Sequence, residues 1–458
     1  MLKLDKVKKI YVIGIKGQGI VAVVQILASM DIDIVGSDTD EKFSTDDVLQ
    51  KLGIHYFEKF SIDNIPPDAD LILYSTAYSA ENNIEFAEAE KRQMMMVSYP
   101  EMLAELFNQK YGIAVCGTHG KTTTSSMLAY ALNQVGVFPT AVIGSRICQW
   151  GTNALVGNGE YFVIEADEYQ NKLQLYEPNA VILTSVDYDH PDFFKTFEDY
   201  KNVFADFVAK IPKIGFLAVW GDSVDTIKIA DFCQGDIITY GFSDDNDVVI
   251  KNHSFIGVQQ KFEVLFFDRS LGFFEIKLPG KHNVLNATAV IATCQKMNVD
   301  IEKVREALIY FEGTSRRFEM IGQCNGAILI DDYAHHPEEI KVMLKATREI
   351  YPDKNITAVF HPHSYSRTEA LLQDFAQSFD SVDKVIVLDI YGSARENSGT
   401  VTSLDLVKLI NRYNRDKAEY IPTIDEAVEF LQDKIAGNDV VITIGAGNVF
   451  EIANKLKQ

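Results

Sequence analysis

At 458 residues, of which 47% are hydrophobic and 24% charged, the chain is longer than one hydrophobic core usually supports, so we expect two to four globular domains. The formal net charge of -22 excludes nucleic acid and an anionic membrane as main partners, because both bind basic surfaces. The five cysteines form no Cys-x-x-Cys pair, and no apolar run reaches the roughly 18 residues of a membrane span. We therefore expect a cytoplasmic protein with reduced thiols and no membrane insertion.

The first predicted unit alternates strands and helices. A strand over 10–14 is followed by the turn Gly17-Gln18-Gly19, a helix over 20–30 and a second strand that ends at Asp38. Glycines at such a turn let the phosphates of a ligand approach the backbone. Their order, G-x-x-G-x-G, differs from the G-x-G-x-x-G of dinucleotide folds, so NAD and another nucleotide are both candidate ligands. The alternation predicts a doubly wound α/β domain over 1–108.

A phosphate-binding loop is the strongest single motif. The stretch Val115-Cys116-Gly117-Thr118-His119-Gly120-Lys121-Thr122-Thr123-Thr124 joins a predicted buried strand to a predicted helix over 125–132. Backbone N–H groups and the helix N-terminus attract phosphates in such a loop. Lys121 would reach the β- and γ-phosphates, and the Thr122 hydroxyl would bind Mg²⁺. Val115 stands where the strict G-x-x-x-x-G-K-[ST] pattern has glycine, but the strand–loop–helix context predicts a nucleoside-triphosphate site.

Acidic residues follow the next strands of the same predicted domain. Glu165 and Asp167 come after a strand over 161–164, and His190 follows a strand over 180–185. Carboxylates at strand ends beside a phosphate loop are where Mg²⁺ is usually held, so both acids are candidate ligands. His190 fits three roles equally well by spacing: a ligand of a second divalent ion, a contact to an acidic substrate, or a turn histidine.

Two further polar groups follow a stretch of short predicted antiparallel strands over 237–279. Asn283 and Asn286 stand one turn apart at a helix start, where they suit either an adenine edge or an N-cap with a surface amide. Arg316 and Arg317 form a pair in a turn, and guanidinium groups bind phosphate or carboxylate. Both groups are candidates for contact with the nucleotide.

The third predicted domain is another parallel α/β sheet. Its polar residues collect at the carboxyl ends of strands, where ligands of such sheets bind: Asp331, Asp332, His335, His336 and the segment 361–367. Asp332 and its neighbour suit ribose hydroxyls. The histidines lack metal-ligand spacing and a partner cysteine, so the pattern does not favour a zinc site.

The order of these motifs resembles that of the Mur ligase family over nearly the whole chain. The shared motifs are Gly-Thr-His-Gly-Lys-Thr-Thr, Glu-Ala-Asp-Glu, Asp-x-Asp-His, His-Asn-x-x-Asn, Arg-Arg-Phe, Asp-Asp-Tyr-Ala-His-His-Pro, Pro-His-x-Tyr-Ser-Arg-Thr and Gly-Ala-Gly-Asn. The resemblance implies three α/β domains: a Rossmann-like UDP-sugar-binding domain over 1–108, a P-loop ATPase-type central domain over 109–320, and a Rossmann-like C-terminal amino-acid-binding domain over 321–458.

The resemblance also implies roles for individual residues. The ATP-binding residues would be Gly117, Thr118, His119, Gly120, Lys121, Thr122, Thr123, Asn283, Asn286, Arg317 and Asp332. The Mg²⁺ ligands would be Thr122, Glu165 and His190, and the catalytic residues Lys121, Glu165 and His190. The UDP diphosphate would lie by Gly17, Gln18 and Gly19, and the incoming amino acid by Tyr333, His335 and Arg367.

Three positions depart from the family pattern. The N-terminal turn has Lys16 and Gln18 where relatives are richer in glycine and serine. Ser364 stands where many relatives carry a second arginine, on the amino-acid side. The Glu-Ala-Asp-Glu motif continues into Tyr169-Gln170-Asn171-Lys172 in place of the commoner Ser-Asp-x-Ser, and this segment is expected to face the reacting groups.

The implied reaction is the ATP-dependent joining of L-alanine to UDP-N-acetylmuramate through an acyl phosphate, in peptidoglycan precursor synthesis. Tyr169 also occurs in relatives that attach a whole tripeptide, so a tripeptide is the alternative acceptor. Two alternatives come from other classes: a NAD-dependent oxidoreductase that uses the Gly14–Asp38 unit, and a module that binds UDP-sugars without catalysis. The second is disfavoured because Lys121, Glu165 and the other expected catalytic groups are intact.

Overall fold

Three β-sheets, one after another along the chain, organise the protein. The computed structural model describes residues 4–43, 45–191, 193–392 and 399–457. Besides the elements given below, short 3-10 helices cover Leu4–Lys6, Ile62–Asn64 and Tyr169–Leu175. Every helix in the described part of the chain is too short or too polar to cross a lipid bilayer.

The first sheet is entirely parallel and has the strand order β3-β2-β1-β4-β5. Its strands are β1 (Lys9–Ile13), β2 (Asp33–Ser37), β3 (His55–Phe57), β4 (Leu71–Tyr74) and β5 (Met96–Ser98). Its helices are α1 (Gln18–Ala28), α2 (Asp46–Lys51), α3 (Ile84–Lys91) and α4 (Tyr99–Phe107). β1 is almost entirely buried at the centre, which explains its continuous apolar sequence.

The second sheet is mixed, with the order β15-β14-β13-β12-β11-β10-β6-β9-β7-β8. Its strands are β6 (Tyr111–Cys116), β7 (Thr140–Ile147), β8 (Thr152–Leu155), β9 (Tyr161–Glu165), β10 (Ala180–Leu183), β11 (Phe216–Trp220), β12 (Asp236–Gly241), β13 (Val248–Ile256), β14 (Gln259–Phe266) and β15 (Arg269–Ile276). Its helices are α5 (Lys121–Gln134), α6 (Phe197–Val208), α7 (Val224–Ala230), α8 (Lys281–Lys296) and α9 (Ile301–Tyr310). The predicted antiparallel stretch is the meander β13–β15, which extends the parallel part of this sheet.

The third sheet has the order β16-β17-β21-β18-β19-β20. Its strands are β16 (Glu319–Cys324), β17 (Ala327–Asp332), β18 (Asn355–Phe360), β19 (Lys384–Val387), β20 (Ala418–Tyr420) and β21 (Asp439–Ile444). Its helices are α10 (Pro337–Ile350), α11 (Tyr365–Ala370), α12 (Leu372–Ala376), α13 (Ser403–Tyr413), α14 (Ile424–Gln432) and α15 (Phe450–Leu456). The prediction of a wholly parallel sheet is wrong at one edge, because the hairpin of β16 and β17 is antiparallel.

The three-domain α/β fold class is confirmed. Four strands that lack a continuous apolar sequence share one property. β3, β8, β16 and β20 each lie at the edge of a sheet. An edge strand has one neighbour and is less buried than a central strand, so it lacks the continuous apolar run that identifies a central strand. The helices α11 and α12 are separated by Leu371, which has φ -113 and ψ 21.

Candidate active site

The phosphate loop lies between the carboxyl end of β6 and the start of α5. Gly117 and Gly120 adopt φ values of 125 and 81, a region that glycine enters at no steric cost. A side chain at Gly117 would collide with the Thr184 hydroxyl, and a Cβ at Gly120 would lie 2.6 Å from Oδ1 of Asn286. The two glycines therefore permit both the turn of the loop and its close packing against the end of β10 and against α8.

Lys121 is held inside this loop. Its Nζ donates to the carbonyl oxygens of Gly117 and Thr118, the latter at 3.1 Å, and lies 3.1 Å from Oε2 of Glu168. Burial disfavours the charged lysine, but Glu168 and the neighbouring acids outweigh burial and raise the Lys121 pKa. Lys121 is therefore a fixed cation at the mouth of the loop.

The predicted Mg²⁺ ligands fall into two neighbouring groups. The Thr122 hydroxyl donates to Oε1 of Glu165 at 2.7 Å. His190 is grouped with Asp167 and Glu168, and one donor atom from each of these three residues lies within 4.8 Å of the others. Mg²⁺ prefers oxygen ligands close to phosphates, so the residues present at the loop fit this ion.

Glu168 is a site residue that the sequence reasoning did not single out. Its side chain is 1% exposed, accepts a hydrogen bond from the Tyr200 hydroxyl at 2.9 Å and pairs with Lys121. It belongs to the Glu-Ala-Asp-Glu motif, but spacing does not tell which of three close acids turns inward. Tyr169, the next residue, has its ring centroid 4.7 Å from that of His190, so the unusual Tyr169–Lys172 segment does reach the acidic group.

A cavity of about 550 Å³ opens beside the loop, between the second and third sheets. Gly120 lines one side, and Asn283 and Asn286 line the part formed by α8. Arg317 and Asp332 contribute from the far side. Most of the predicted nucleotide contacts, which are scattered over more than 200 positions, therefore line one cavity of the size that small-molecule ligands occupy.

The two asparagines are fixed by hydrogen bonds. The side-chain amide of Asn283 donates to the Pro279 carbonyl at 2.7 Å, and that of Asn286 donates to Oδ1 of Asn283 at 3.1 Å. Both residues are 7% exposed, and Gly280 is the N-cap residue of α8. The alternative of an N-cap with a surface amide is therefore wrong.

The two arginines of the 316–317 pair point to different places. Arg316 pairs with Asp331 through Nε at 2.9 Å and donates to the carbonyls of Gly445 and Gly447 at 2.6 and 2.9 Å. Arg316 thus connects the linker between α9 and β16 (residues 311–318) to the third sheet. Arg317 faces the cavity, with its guanidinium 5.4 Å from the ring centroid of Tyr333.

Asp332 is a buried carboxylate at the end of β17. Its two oxygens accept hydrogen bonds from the backbone N–H groups of Phe318 and Ala334, both at 2.8 Å. Burial raises its pKa to about 6, against the opposing effect of Arg317. The adjacent acid, Asp331, is used by Arg316, so Asp332 is the member of the pair that faces the cavity.

Tyr333, His335 and Arg367 lie at or beyond the ends of β17 and β18. Arg367 is paired with Asp189 of the central domain, at 3.0 Å from Nη2 and 3.3 Å from Nε, and both side chains are less than 10% exposed. Burial opposes the ionised Asp189, but Arg367 outweighs it and holds the Asp189 pKa below its usual range. His335 is kept neutral because burial lowers its pKa to about 3. A contact of these groups with an amino acid stays a prediction.

The N-terminal glycine turn is packed against its surroundings. Gly17 is the N-cap residue of α1, and a Cβ at Gly19 would lie 2.6 Å from the Tyr99 ring. The carbonyl of Gln18 accepts from the Asn153 side chain at 3.1 Å, so the turn contacts the central domain.

Lys16 points away from this turn. Its side chain is fully buried, and Nζ donates to the carbonyls of Thr39 and Glu41 at 2.8 and 2.9 Å and lies 3.3 Å from Oε1 of Glu58. Its backbone N–H donates to Asp38 at 2.7 Å. Asp38 also accepts from the Thr39 N–H at 2.8 Å, so its two oxygens both bind backbone N–H groups of the N-terminal domain.

Comparisons with known proteins agree with this geometry. Three sequence models match successive parts of the chain: Mur ligase family, catalytic domain, over 9–111; Mur ligase middle domain over 115–294; and Mur ligase, glutamate ligase domain, over 316–447. The chain is 41% identical over 449 residues to the UDP-N-acetylmuramate–L-alanine ligase of Desulfitobacterium hafniense, which covers 98% of this chain and 99% of that protein. It is 37% identical to the ligase of the same name from Caldanaerobacter subterraneus subsp. tengcongensis, over 99% and 98% of the two chains.

Solved structures give the same result. The crystal structure of UDP-N-acetylmuramate–alanine ligase from Thermotoga maritima matches with a TM-score of 0.82 at 27% identity, over 98% of both chains. A murein peptide ligase from Psychrobacter arcticus shares the fold, with a TM-score of 0.73 at 23% identity over 98% of both chains. Full-length similarity at this level, together with the phosphate loop and its facing residues, shows that the chain belongs to the Mur ligase family and is an ATP-dependent ligase.

Proposed function

We propose that this protein joins L-alanine to UDP-N-acetylmuramate while ATP is converted to ADP and phosphate, a step of peptidoglycan precursor synthesis. The observation that carries the proposal is the 41% identity, over 98% of the chain, to a ligase of that name. The geometry is compatible with it, because residues of the phosphate loop, the two asparagines of α8, Arg317 and Asp332 line one cavity.

The proposed division of labour follows the three sheets. We assign 1–108 to the UDP-sugar, 109–320 to ATP and 321–458 to the amino acid. The first sheet ends at Ser98 and the second ends at Ile276. The third begins at Glu319, two residues before the proposed boundary, directly after the linker that carries Arg317.

The chemistry needs ATP because a carboxylate does not react with an amine at neutral pH without a better leaving group. In the proposed reaction the γ-phosphoryl group moves from ATP to the lactyl carboxylate, which gives an acyl phosphate and ADP. The amine then attacks the acyl carbon, and the tetrahedral intermediate expels phosphate. Lys121, fixed inside the loop, would stabilise the charge on the transferring phosphoryl group.

Thr122, Glu165 and His190 are the proposed ligands of Mg²⁺, and Asp167 and Glu168 are close enough to His190 to take part. Bound there, the ion supplies Lewis-acid neutralisation of phosphate charge. Glu168 has a second task in this chain, because it holds the Lys121 ammonium in the loop.

Closure of the C-terminal domain would exclude water from the acyl phosphate. Among the contacts that connect that domain to the central one, two involve the phosphate loop and the strand end that carries His190. His119 lies 3.1 Å from Glu339, and Arg367 lies 3.0 Å from Asp189. Both contacts are largely buried, which is what a water-excluding closure requires.

The test is a phosphate-release assay with ATP, UDP-N-acetylmuramate and a panel of amino acids. We expect release that requires both the UDP-sugar and L-alanine, with weaker or no response to other amino acids. Equal release without the UDP-sugar, or with no amino acid, would contradict the proposal.

The same assay with a tripeptide tests the second candidate, a murein peptide ligase activity. The observation that favours it is Tyr169, whose ring lies against His190 and 5.8 Å from that of Phe193. Turnover with the tripeptide but not with L-alanine would assign the acceptor to the second candidate.

A further inference from the structure

Glu339, in the first turn of α10, bridges two parts of the site. Its side chain is 12% exposed and lies on the wall of the cavity. Oε1 lies 3.1 Å from Nδ1 of His119 in the phosphate loop, and Oε2 accepts from the backbone N–H of His335 at 3.1 Å. One carboxylate thus connects the central domain to the Tyr333–His336 segment of the C-terminal domain, across 220 residues of sequence.

The bridge is made of ionised and hydrogen-bonded groups. Burial disfavours the charged Glu339, but the hydrogen bond and charge of His119 and the charge of Arg317 favour it, so the Glu339 pKa lies well below its usual range. Burial also acts against a protonated His119, and Glu339 outweighs it, so the His119 pKa is raised. Hydrogen bonds to an ionised carboxylate are about twice as strong as neutral ones, so this contact can transmit a change from one side to the other.

Arg317 completes the arrangement. Its Nη1 lies 3.9 Å from Oε1 of Glu339, too far for a hydrogen bond, and its Nε is buried with no hydrogen-bond partner among the described residues. A guanidinium in this position can turn to an anion in the cavity without breaking a hydrogen bond to Glu339. Glu339 would then keep His119 and His335 as its partners.

We propose that Glu339 is a positioning residue that couples nucleotide binding in the phosphate loop to the order of the Tyr333–His336 segment. Bound phosphates would hold the His119 ring in one position, and the ring would hold Oε1 of Glu339. Because a carboxylate is planar and rigid, Oε2 is then also held in place, together with the His335 N–H that it binds. Arg367 is close enough to His335 for its charge to oppose protonation of the imidazole, so the coupling reaches the residues assigned to the amino acid. The inference deepens the proposed function and rests on it for the identity of the acceptor.

Hydrogen–deuterium exchange of the full-length protein tests the coupling without any acceptor. The non-hydrolysable analogue AMP-PNP with Mg²⁺ is added at saturation, and protection is compared at the phosphate loop and at His335. In the wild type we expect exchange at both places to slow by about fivefold or more, the size of an ordinary coupling. In Glu339→Gln the loop should keep its protection, whereas the nucleotide-dependent protection at His335 should be lost.

Glu338→Gln is the matched control. It removes the same charge from the same helical turn, but Glu338 is half exposed and its carboxylate pairs with Lys341 at 3.7 Å. We expect the control to respond as the wild type does. Glu339→Ala, which removes both contacts, should lose the protection as Glu339→Gln does, and thermal unfolding of each variant establishes that it is folded.

Three results would overturn the inference. The first two are protection at His335 in Glu339→Gln that equals that of the wild type, and absence of nucleotide-dependent protection at His335 in the wild type. The third is loss of loop protection in Glu339→Gln, which would make Glu339 a nucleotide ligand. A kinetic measurement adds an independent check. Glu339→Gln should raise the KM for L-alanine about tenfold, with a much smaller change in the KM for ATP. If the wild type does not use L-alanine at all, the proposed function fails, and the exchange experiment still decides the role of Glu339.

Discussion

The protein contains two glycine loops of the same design that use their lysines in opposite ways. Each loop follows a buried central strand, β1 or β6, and leads into a helix, α1 or α5. In the central loop Nζ of Lys121 stays within the loop, bonded to the carbonyls of Gly117 and Thr118. In the N-terminal loop Nζ of Lys16 turns away and holds the carbonyls of Thr39 and Glu41.

In the proposed function Lys121 takes part in the chemistry, whereas Lys16 has a structural role. In the proposed reaction Lys121 would neutralise phosphate charge. Lys16 connects the N-terminal turn to the segment after β2, and Thr45 strengthens that connection by donating to the Lys16 carbonyl at 2.5 Å. A loop that only binds a diphosphate can rely on backbone N–H groups, whereas a loop that takes part in phosphoryl transfer needs a cation held at the phosphates.

Lys121→Met should have the largest effect. Removal of the ammonium takes away transition-state stabilisation, so we expect kcat to fall by about 10²–10³-fold or more. The protein should still fold, since methionine occupies a similar volume, but it should lose stability because Glu168 and the carbonyls of Gly117 and Thr118 lose a partner. Steady-state phosphate release together with a thermal melt checks both parts, and a Lys121→Met variant with near-normal kcat would contradict the role of the loop.

Lys16→Met, the same substitution in the other loop, should give the opposite kinetic result, with a changed KM and a nearly unchanged kcat. The carbonyls of Thr39 and Glu41 lose their donor and Glu58 loses a partner, so we expect a destabilisation of about 2 kcal/mol. The KM for the UDP-sugar should rise while kcat changes little, because the loop loses its support and not a reacting group. Urea unfolding and the three substrate KM values measure this; a fall in kcat like that of Lys121→Met would remove the contrast between the loops.

Lowering the pH should reduce the free energy of unfolding through His335, which belongs to neither glycine loop. His335 is neutral in the folded protein, with a pKa lowered by burial to about 3, against 6.5 in the unfolded chain. Its contribution to stability is therefore complete above about pH 6.5 and is lost as pH falls towards 3, which amounts to about 2 kcal/mol at pH 5. Unfolding by urea at pH 7.5 and pH 5 measures the loss.

The matched variants for this experiment are His335→Gln and His55→Gln. His55 is the only histidine in the sequence before residue 119, and it is exposed on β3. We expect the pH dependence to shrink in His335→Gln and to persist in His55→Gln. The same pH dependence in both variants would show that His335 is not the group that titrates.

Local patterns in the sequence sufficed for much of the fold and for part of the site. Central strands such as β1 and β6 are continuous apolar runs because both of their faces are buried, and the glycines at 117 and 120 mark a loop that no other residue fits. Thr122, Lys121 and the acids near 165 stand close together along the chain or at adjacent strand ends, so their proximity follows from the order of the motifs.

Tertiary structure alone decided the contacts between distant residues. Glu339 meets His119 across 220 positions, and Arg367 meets Asp189 across 178. No local sequence pattern marks either pair, because such contacts depend on how two domains pack. They also depend on which charged side chains lose their contact with water when the domains pack. The direction of Lys16 was undetermined for the same reason: a glycine loop specifies the path of its backbone, but the carbonyls and carboxylates available nearby determine where a lysine side chain points.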